Sequence, residues 1–576
     1  MVFSSFTFIF AFFLPLIVIM AGFRYCLSQA LSTRTVLTTQ ATPKATATVT
    51  ASHLETTPSA TSETVFTTGT TTYTRSWLSP QQITRSALWL MILASLTFYS
   101  WQRPDYLLLL LVSIIINRLL GFQISHKHKQ GDTRTKTWLI VAVSFNLLMI
   151  AYFKYQNFFI ENINALGHTD LPLTDIALPL GISFFTFQQI AWQIDLYQRK
   201  VDYGSHTDYL FFVSFFPQLI AGPIVHYRQL VPQIQNPLWL SNRYLIQGFF
   251  LFVLGLSKKV LIADTLARYV DPLYASAEQL ASNNQLMTAP DAWAAAFGYG
   301  LQLYFDFSGY ADMALGLALM LGIRLPFNFM SPYQSVSIVQ FWRRWHITLS
   351  HFLRDYIYIP LGGSKKGIAR QYYALLLTML LGGLWHGAGW AFVLWGGLHG
   401  ISLIVNHAWQ RLSPWKLPAL IGWLITFILV MVYWVPFRAE SFEVSLHIWH
   451  SMLVGSSAGL DSHSLTQHLL HWLHDWRILF AANLPLFTGE GINAIYQLWL
   501  ERLINQHPAS IWLYIAGAGF IACILPSSFY WMRVWPQYSQ SKLKMTLTGV
   551  YCFILLAACL KSMLLSPEQV FLYFNF

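Results

Sequence analysis

The chain has 576 residues, 55% of them hydrophobic and 16% aromatic, and only 10% are Asp, Glu, Lys or Arg. A soluble domain has about a quarter of its residues charged, so a water-facing globular architecture is excluded. The net charge of +11 lies mostly in short loops between apolar runs, the bias of a membrane protein with basic cytoplasmic loops. No nucleic-acid-binding motif accompanies it.

In chain order, residues 1–23 form the first apolar run. No basic residue precedes it in "MVFSSF", so it reads as a retained transmembrane helix and not as a secretory leader. Residues 24–83 are rich in Thr and Ser, with "TTQATPKATATVTASHLETTPSATSETVFTTGTTTYT" at their centre. Such a segment buries too little apolar surface to offset its ordering entropy, which predicts a disordered insertion. Counting back two helices from the basic loop Lys127–Lys136 puts it on the cytoplasmic side.

Further spanning helices are predicted at "ALWLMILASLTFYSW", "YLLLLLVSIIINRLLGF", "WLIVAVSFNLLMIAYF", "YLIQGFFLFVLGL", "YYALLLTMLLGGLW", "LIGWLITFILVMVYWV", "IWLYIAGAGFIACIL" and "GVYCFILLAACL". Leu178–Ile194 and Phe211–Ile224 are too short or too broken to span simply, which predicts re-entrant pieces sheltered by protein. Lys258–Lys259, Arg343–Arg344 and "GGSKKGIAR" read as basic loops. Residues 84–440 form the core and 441–576 a C-terminal set of interfacial and transmembrane helices.

His447, His450, His463, His468, His471 and His474 cluster late in the chain. No Cys and few carboxylates stand near them, so an interfacial helix or loop is expected in place of a metal site. Cys26, Cys523, Cys552 and Cys559 form no disulfide or CxxC pattern and read as packing residues.

Three stretches carry ionisable groups in apolar surroundings. "LYFDFSGYADMALG" places Asp306 and Asp312 in an apolar helix, where pairing with buried arginines is expected. "QFWRRWHITLSHFLRD" reads as an interfacial helix, with His346 one turn from Trp342 and one turn from Ser350. "LLGGLWHGAGWAFVLWGGLHG" holds His386 and His399. A neutral imidazole there suits a general base for acyl transfer. Gly382, Gly383, Gly387 and Gly389 permit either close helix packing or a narrow tunnel. Spacing alone leaves a packing histidine and a catalytic one level, and leaves a transporter open.

Longer blocks go further. "YFKYQNFF", "LPLGISFFTFQQIAWQIDLYQRK", "FFPQLIAGPIV", "GLSKKVLIADTLA", "YFDFSGYADMALG", "PFNFMSPYQS", "QFWRRWHITLSHFLRDYIYIPLGG", "GGLWHGAGWAFVLWGGLHG", "VPFRAESF" and "FLYFNF" occur in this order. Together the chain resembles the membrane-bound O-acyltransferase (MBOAT) family, and within it the alginate O-acetyltransferase type of integral-membrane component for polysaccharide O-acetylation. The Thr-rich insertion departs from the family, which has a short loop there.

The resemblance implies an all-α polytopic membrane protein of the bacterial inner membrane. Its transmembrane helices would form a ring, with re-entrant and interfacial helices around a central tunnel. The family histidine in "LWHG" falls on His386, as general base, and the second polar position falls on His346, which would orient the acyl carbonyl or the acceptor. Trp385, Arg343, Arg344, Asn328, Ser350 and Asp306 are candidate tunnel or donor-binding positions. The implied substrate is acetyl-CoA or another activated acetyl donor, with no tightly bound cofactor and no metal. The implied partners are a periplasmic SGNH-type O-acetyltransferase and a polysaccharide acceptor. A flippase of an acyl donor or glycan is the alternative, and a scaffold for exported acetylation partners is a third reading.

Overall fold

The computed structural model describes residues 3–40, 79–101, 103–220, 222–236, 240, 244–455, 510–565 and 571–572. Most of the Thr/Ser-rich stretch lies outside the described residues, as do His463, His468, His471 and His474.

A π-helical turn, Thr7–Phe13, leads into α1 (Leu14–Gln40). The helix runs past residue 23, the expected end of the first span, because no Gly or Pro interrupts it between Phe23 and Gln40. The next helix, α2 (Pro80–Ser100), starts at a capping box. The Ser79 hydroxyl accepts from Gln82 N, the Gln82 side chain accepts from Ser79 N, and Pro80 occupies the first turn. Then come α3 (Pro104–Lys129) and α4 (Thr135–Ile150), which continues through a π turn, Ala151–Tyr155, into α5 (Gln156–Gly167). Leu108, Ile115 and Leu119 of α3 are more than half exposed, as lipid-facing residues are.

The expected broken pieces are present. Ile182–Tyr197 forms α6, almost wholly buried. Residues 211–224 hold the end of α7 (His206–Ser214), the single turn α8 (Phe216–Leu219) and an extended return to α9 (Tyr227–Gln235). Non-helical backbone here is sheltered by protein, as membrane depth demands.

Next, α10 (Leu245–Ser257) passes through a π turn, Lys258–Ala263, into α11 (Asp264–Ser282). Lys258–Lys259 is therefore not a loop but the middle of a long helical span. At the centre stands α12 (Ala289–Met320), 32 residues and about 48 Å long. From Gly298 to Met320 every residue is buried. Two glycine pairs, spaced one heptad apart, bring α10 and α12 into backbone contact. A Cβ on Gly248 would lie 2.6 Å from Gly316 O, and one on Gly255 would lie 2.5 Å from Gly309 O.

Two short helices, α13 (Ile338–Trp342) and α14 (Ile347–Leu353), precede the antiparallel pair α15 (Ile368–His386) and α16 (Trp390–Leu412). The chain continues through α17 (Ala419–Arg438) and α18 (Phe442–Val454), which carries His447 and His450. Last are α19 (Ser510–Ile524), α20 (Ser528–Tyr538), bent from it by 47°, and α21 (Lys542–Leu565). Among the described residues, eight helices are long and apolar enough to cross a membrane, or nine if the bent pair counts as one span. The protein is an all-α, multi-pass membrane protein. The run Trp390–Leu412, which the sequence reading treated only as a histidine-bearing motif, is one of the eight.

The basic loops converge on one face. Arg199 Nε donates to His128 beside the Lys127–Lys136 loop. Gln235 binds Asp208, and Gln233 binds Arg324 O just past the end of α12. Tyr356, on the approach to the Lys365–Lys366 loop, binds Asp195 near the end of α6.

Candidate active site

His346 does not lie within a continuous helix. The helix from Ser337 ends at Trp342, and His346 adopts left-handed backbone angles (φ 41°) before α14 begins. A β-carbon makes that conformation uncommon, and the irregular segment Asn328–Met330 beside it holds it there. Asn328 O accepts from Ile347 N at 3.0 Å, and Met330 N donates to Arg344 O at 3.0 Å. The Asn328 carboxamide oxygen accepts from Thr348 Oγ1 at 2.6 Å and from Thr348 N at 3.3 Å. Thr348 Oγ1 in turn accepts from Ile224 N of the re-entrant return. Asn328 is thus a buried clamp on the turn that carries His346.

His386 ends α15. Gly387 is extended and the chain turns at once into α16. Close backbone approach explains the glycines of this hairpin. A Cβ on Gly383 would lie 2.2 Å from Phe392 O, and one on Gly396 would lie 2.3 Å from Met379 O. Of the two openings left by the glycine pattern, the helix interface takes close packing at these positions.

The last carbonyls of a helix lack partners within it. Here α4 and its π turn supply them. Lys154 Nζ donates to Trp385 O at 2.6 Å and His386 O at 2.8 Å, and Tyr155 OH donates to Leu384 O at 2.6 Å. A cation also suits the negative end of the helix dipole. A cleft of about 330 Å³, lined by Lys154, Asn157, Gly387 and Ala388 among others, opens beside this cap.

The two histidine rings meet in an aromatic box. Their centroids are 6.5 Å apart. The Trp385 ring lies 4.9 Å from His386 and 6.2 Å from His346. Trp395 and Phe437 flank His386 at 5.1 and 5.2 Å, and Phe307 of α12 flanks His346 at 4.9 Å. Both histidines are buried. The chain brings together His346, His386, Trp385 and, through the backbone, Asn328.

The other candidate positions lie elsewhere. Arg343 is exposed and Arg344 half-buried, both on the turn between α13 and α14. Ser350 lies one turn from His346, its N–H donating to His346 O at 3.0 Å, but its hydroxyl donates to Trp345 O at 3.3 Å; the break falls before His346 and removes the expected one-turn spacing to Trp342 instead. Asp306 pairs with Lys259 at 2.7 Å and accepts from Leu572 N at 2.9 Å. Asp312 pairs with Lys258 at 2.6 Å. The acids of α12 therefore pair with lysines, not with the expected arginines, since the π turn carries both lysines onto the buried face of α12. His399 accepts from Trp342 Nε1 at 3.3 Å among Trp395 and Tyr433 rings, a packing position.

Two groups escaped the sequence reading. Lys154 was visible as a lysine inside the apolar run "LLMIAYFKYQNFF", a costly placement that marks a buried partner. The other is Asp195, His226 and Tyr356, from three separate blocks. Tyr356 OH donates to Asp195 Oδ1 at 3.0 Å and lies 3.2 Å from His226 Nδ1. Burial lowers the pKa of His226, while the charge of Asp195 opposes that shift. No periodicity in the sequence connects these three residues.

Comparison with known proteins agrees with this architecture. The profile of MBOAT, the membrane-bound O-acyltransferase family, matches residues 93–439. The chain is 36% identical to a peptidoglycan O-acetyltransferase of Helicobacter pylori over 85% of its own length and 91% of that protein. It is 36% identical to a probable alginate O-acetylase AlgI of Pseudomonas syringae over 84% of its length and 94% of that protein. With a teichoic acid D-alanyltransferase of Streptococcus thermophilus it shares 30% identity over 40% of its length and 57% of that protein.

Proposed function

This chain belongs to the membrane-bound O-acyltransferase family, and from that premise we propose that it carries acetyl groups from a cytoplasmic thioester donor across the inner membrane for O-acetylation of an exported or cell-wall polysaccharide. The observation that carries the reading is the buried pair His346 and His386, 6.5 Å apart and both against the Trp385 ring. His386 is the general base. It takes the proton of an acceptor hydroxyl as that oxygen bonds to the acetyl carbon. The carbon–sulfur bond of the donor then breaks, and the proton passes from the imidazolium to the leaving thiolate. His346 orients the acyl carbonyl or the acceptor within the same box. The acceptor is a hydroxyl of the glycan or of a periplasmic SGNH-type partner. Relatives named for alginate and peptidoglycan acetylation support a polysaccharide as the final acceptor.

The basic face supports donor entry from the cytoplasm. Arg343, on the exposed turn next to His346, adds positive charge suited to an anionic donor such as acetyl-CoA. The test is acetyl transfer from labelled acetyl-CoA by membranes containing His386→Ala. Normal insertion with transfer lowered by about 10²–10⁴-fold is the expected result. Near-normal acetylation in that variant sinks the assignment. Donor translocation without any acyl transfer by the purified protein favours a transporter instead.

A further inference from the structure

Away from the histidine box, a cavity of about 690 Å³ opens between α10, the end of α12 and α20. That volume is in the range of small-molecule sites. Its floor is apolar, with Leu251 from α10, Leu315 and Leu319 from α12 and Met532 from α20. Its rim carries Arg324 and Arg533. None of the lining residues is acidic, and among the described residues no ion pair involves either guanidinium.

We propose that this groove binds an anionic phospholipid, its phosphate between Arg324 and Arg533 and an acyl chain along the apolar floor. Three features favour a lipid as the occupant. First, α10 carries Ile246 and Phe249, exposed as lipid-facing residues are, beside the lining residues Gln247 and Leu251, so the groove adjoins a hydrocarbon-facing surface. Second, the rim sits at the basic face. Arg324 follows the end of α12 and stacks over the Tyr244 ring, 4.6 Å from guanidinium carbon to centroid. Tyrosine and tryptophan mark the interfacial level of a bilayer, and Trp535 lines the same groove while packing on Phe250 at 5.2 Å. Third, α20 breaks from α19 by 47° and presents Met532 and Trp535 inward while Arg533 is exposed, the division of an interfacial amphipathic helix.

The test is native mass spectrometry of the detergent-purified full chain with phosphatidylglycerol or phosphatidylcholine of identical acyl chains. Phosphatidylglycerol should be retained preferentially. One arginine near an anionic headgroup is worth about fivefold, so Arg533→Gln should reduce that retention by about fivefold, and Arg324→Gln should reduce it in the same direction. Lys416→Gln, an exposed charge outside the groove, should leave it unchanged. Arg533 is exposed, so its variant stays informative even if Arg324→Gln fails to fold. Equal retention of the two lipids, or wild-type retention in Arg533→Gln, overturns the proposal. So does full displacement of phosphatidylglycerol by millimolar glycerol phosphate, which marks a site for soluble phosphate and not for a lipid.

Discussion

The imidazole rings of His346 and His386 lie 6.5 Å apart, centroid to centroid, at an angle of 62°. Rings joined by a direct N–H···N bond have centroids about 5 Å apart, and rings sharing one oxygen reach up to about 8 Å. The observed gap suits one reacting oxygen between them. Each ring reaches this position by a different backbone device: a left-handed residue before a helix for His346 and a helix end for His386. The backbone at His346 makes a specific prediction. Asn tolerates left-handed angles better than other residues with a β-carbon, so His346→Asn should fold and insert normally and show lowered acyl transfer. His346→Val, β-branched at φ 41°, should instead lose folded protein in a detergent thermal-shift assay. Equal folding of the two variants contradicts the strained-turn account.

Lys154, in the π turn after α4, binds two carbonyls at the end of α15, at 2.6 and 2.8 Å. On the proposed mechanism it is a positioning residue for His386, since it touches the backbone carbonyls and not the imidazole. Lys154→Met leaves two buried acceptors without a donor, at about 1–3 kcal/mol each. A displacement of about 1 Å at a catalytic group costs up to about 100-fold. The variant should show a lower kcat with KM for the donor little changed, together with a lower melting temperature. An unchanged kcat removes Lys154 from this role.

The α15–α16 hairpin offers an internal control. A Cβ on Gly396 would sit 2.3 Å from the Met379 carbonyl oxygen, which is backbone and cannot swing away. At the neighbouring Gly397 the nearest atom is a Leu380 methyl at 3.5 Å, an ordinary contact. Gly396→Ala should force the helices apart and destabilise the fold by about 1–3 kcal/mol. Gly397→Ala should melt within a degree or two of the native protein.

The Asp195–His226–Tyr356 cluster gives a pH dependence with a definite sign. His226 is packed neutral, its pKa lowered by burial and further by Arg228 and His351, while Asp195 and Asp355 oppose the shift. A histidine whose folded pKa lies below its unfolded 6.5 contributes stability above that value, and this contribution is lost as pH falls below it. Melting temperature should therefore decline on acidification from about pH 6.5, and the slope should flatten in His226→Asn. An identical slope in the variant assigns the decline to other groups.

Much of this architecture is legible in the sequence because lipid imposes simple rules. Long apolar runs become helices, and shorter or broken ones become buried pieces, as in α6 and α8. The histidine box is less legible. "LWHG" and "RRWH" carry His386 and His346, but no periodicity says that their rings meet, since a left-handed turn and an extended glycine set the meeting point. The one-turn spacing fails between Trp342 and His346, where the helix breaks, and the Ser350 hydroxyl turns to Trp345 O. The pairing of the α12 acids is not legible because Lys258–Lys259 reads as a loop, whereas a π turn buries Lys259 and brings the half-buried Lys258 onto Asp312 inside a continuous span. The clamp at Asn328 and the cap at Lys154 depend on contacts between segments remote in sequence.

The buried charge cluster on α12 yields the last prediction. Lys259 Nζ stands 2.7 Å from Asp306 and 2.6 Å from Asp264, and its side chain is 2% exposed. Removing the cation strands two carboxylates in an apolar interior. Lys259→Met should destabilise the protein by about 3–5 kcal/mol, read as a large drop in melting temperature in detergent. Adding Asp306→Asn to that variant removes one stranded charge and should recover part of the loss, a non-additive result that two independent sites do not give. Asp306 also accepts from Leu572 N at 2.9 Å, so Asp306→Asn alone should keep that contact through its carboxamide oxygen while weakening the lysine pair. Strict additivity of the two substitutions removes the pairing as the reason for these charges. A loss of acyl transfer in Asp306→Asn without any loss of stability moves Asp306 from packing to the reaction path.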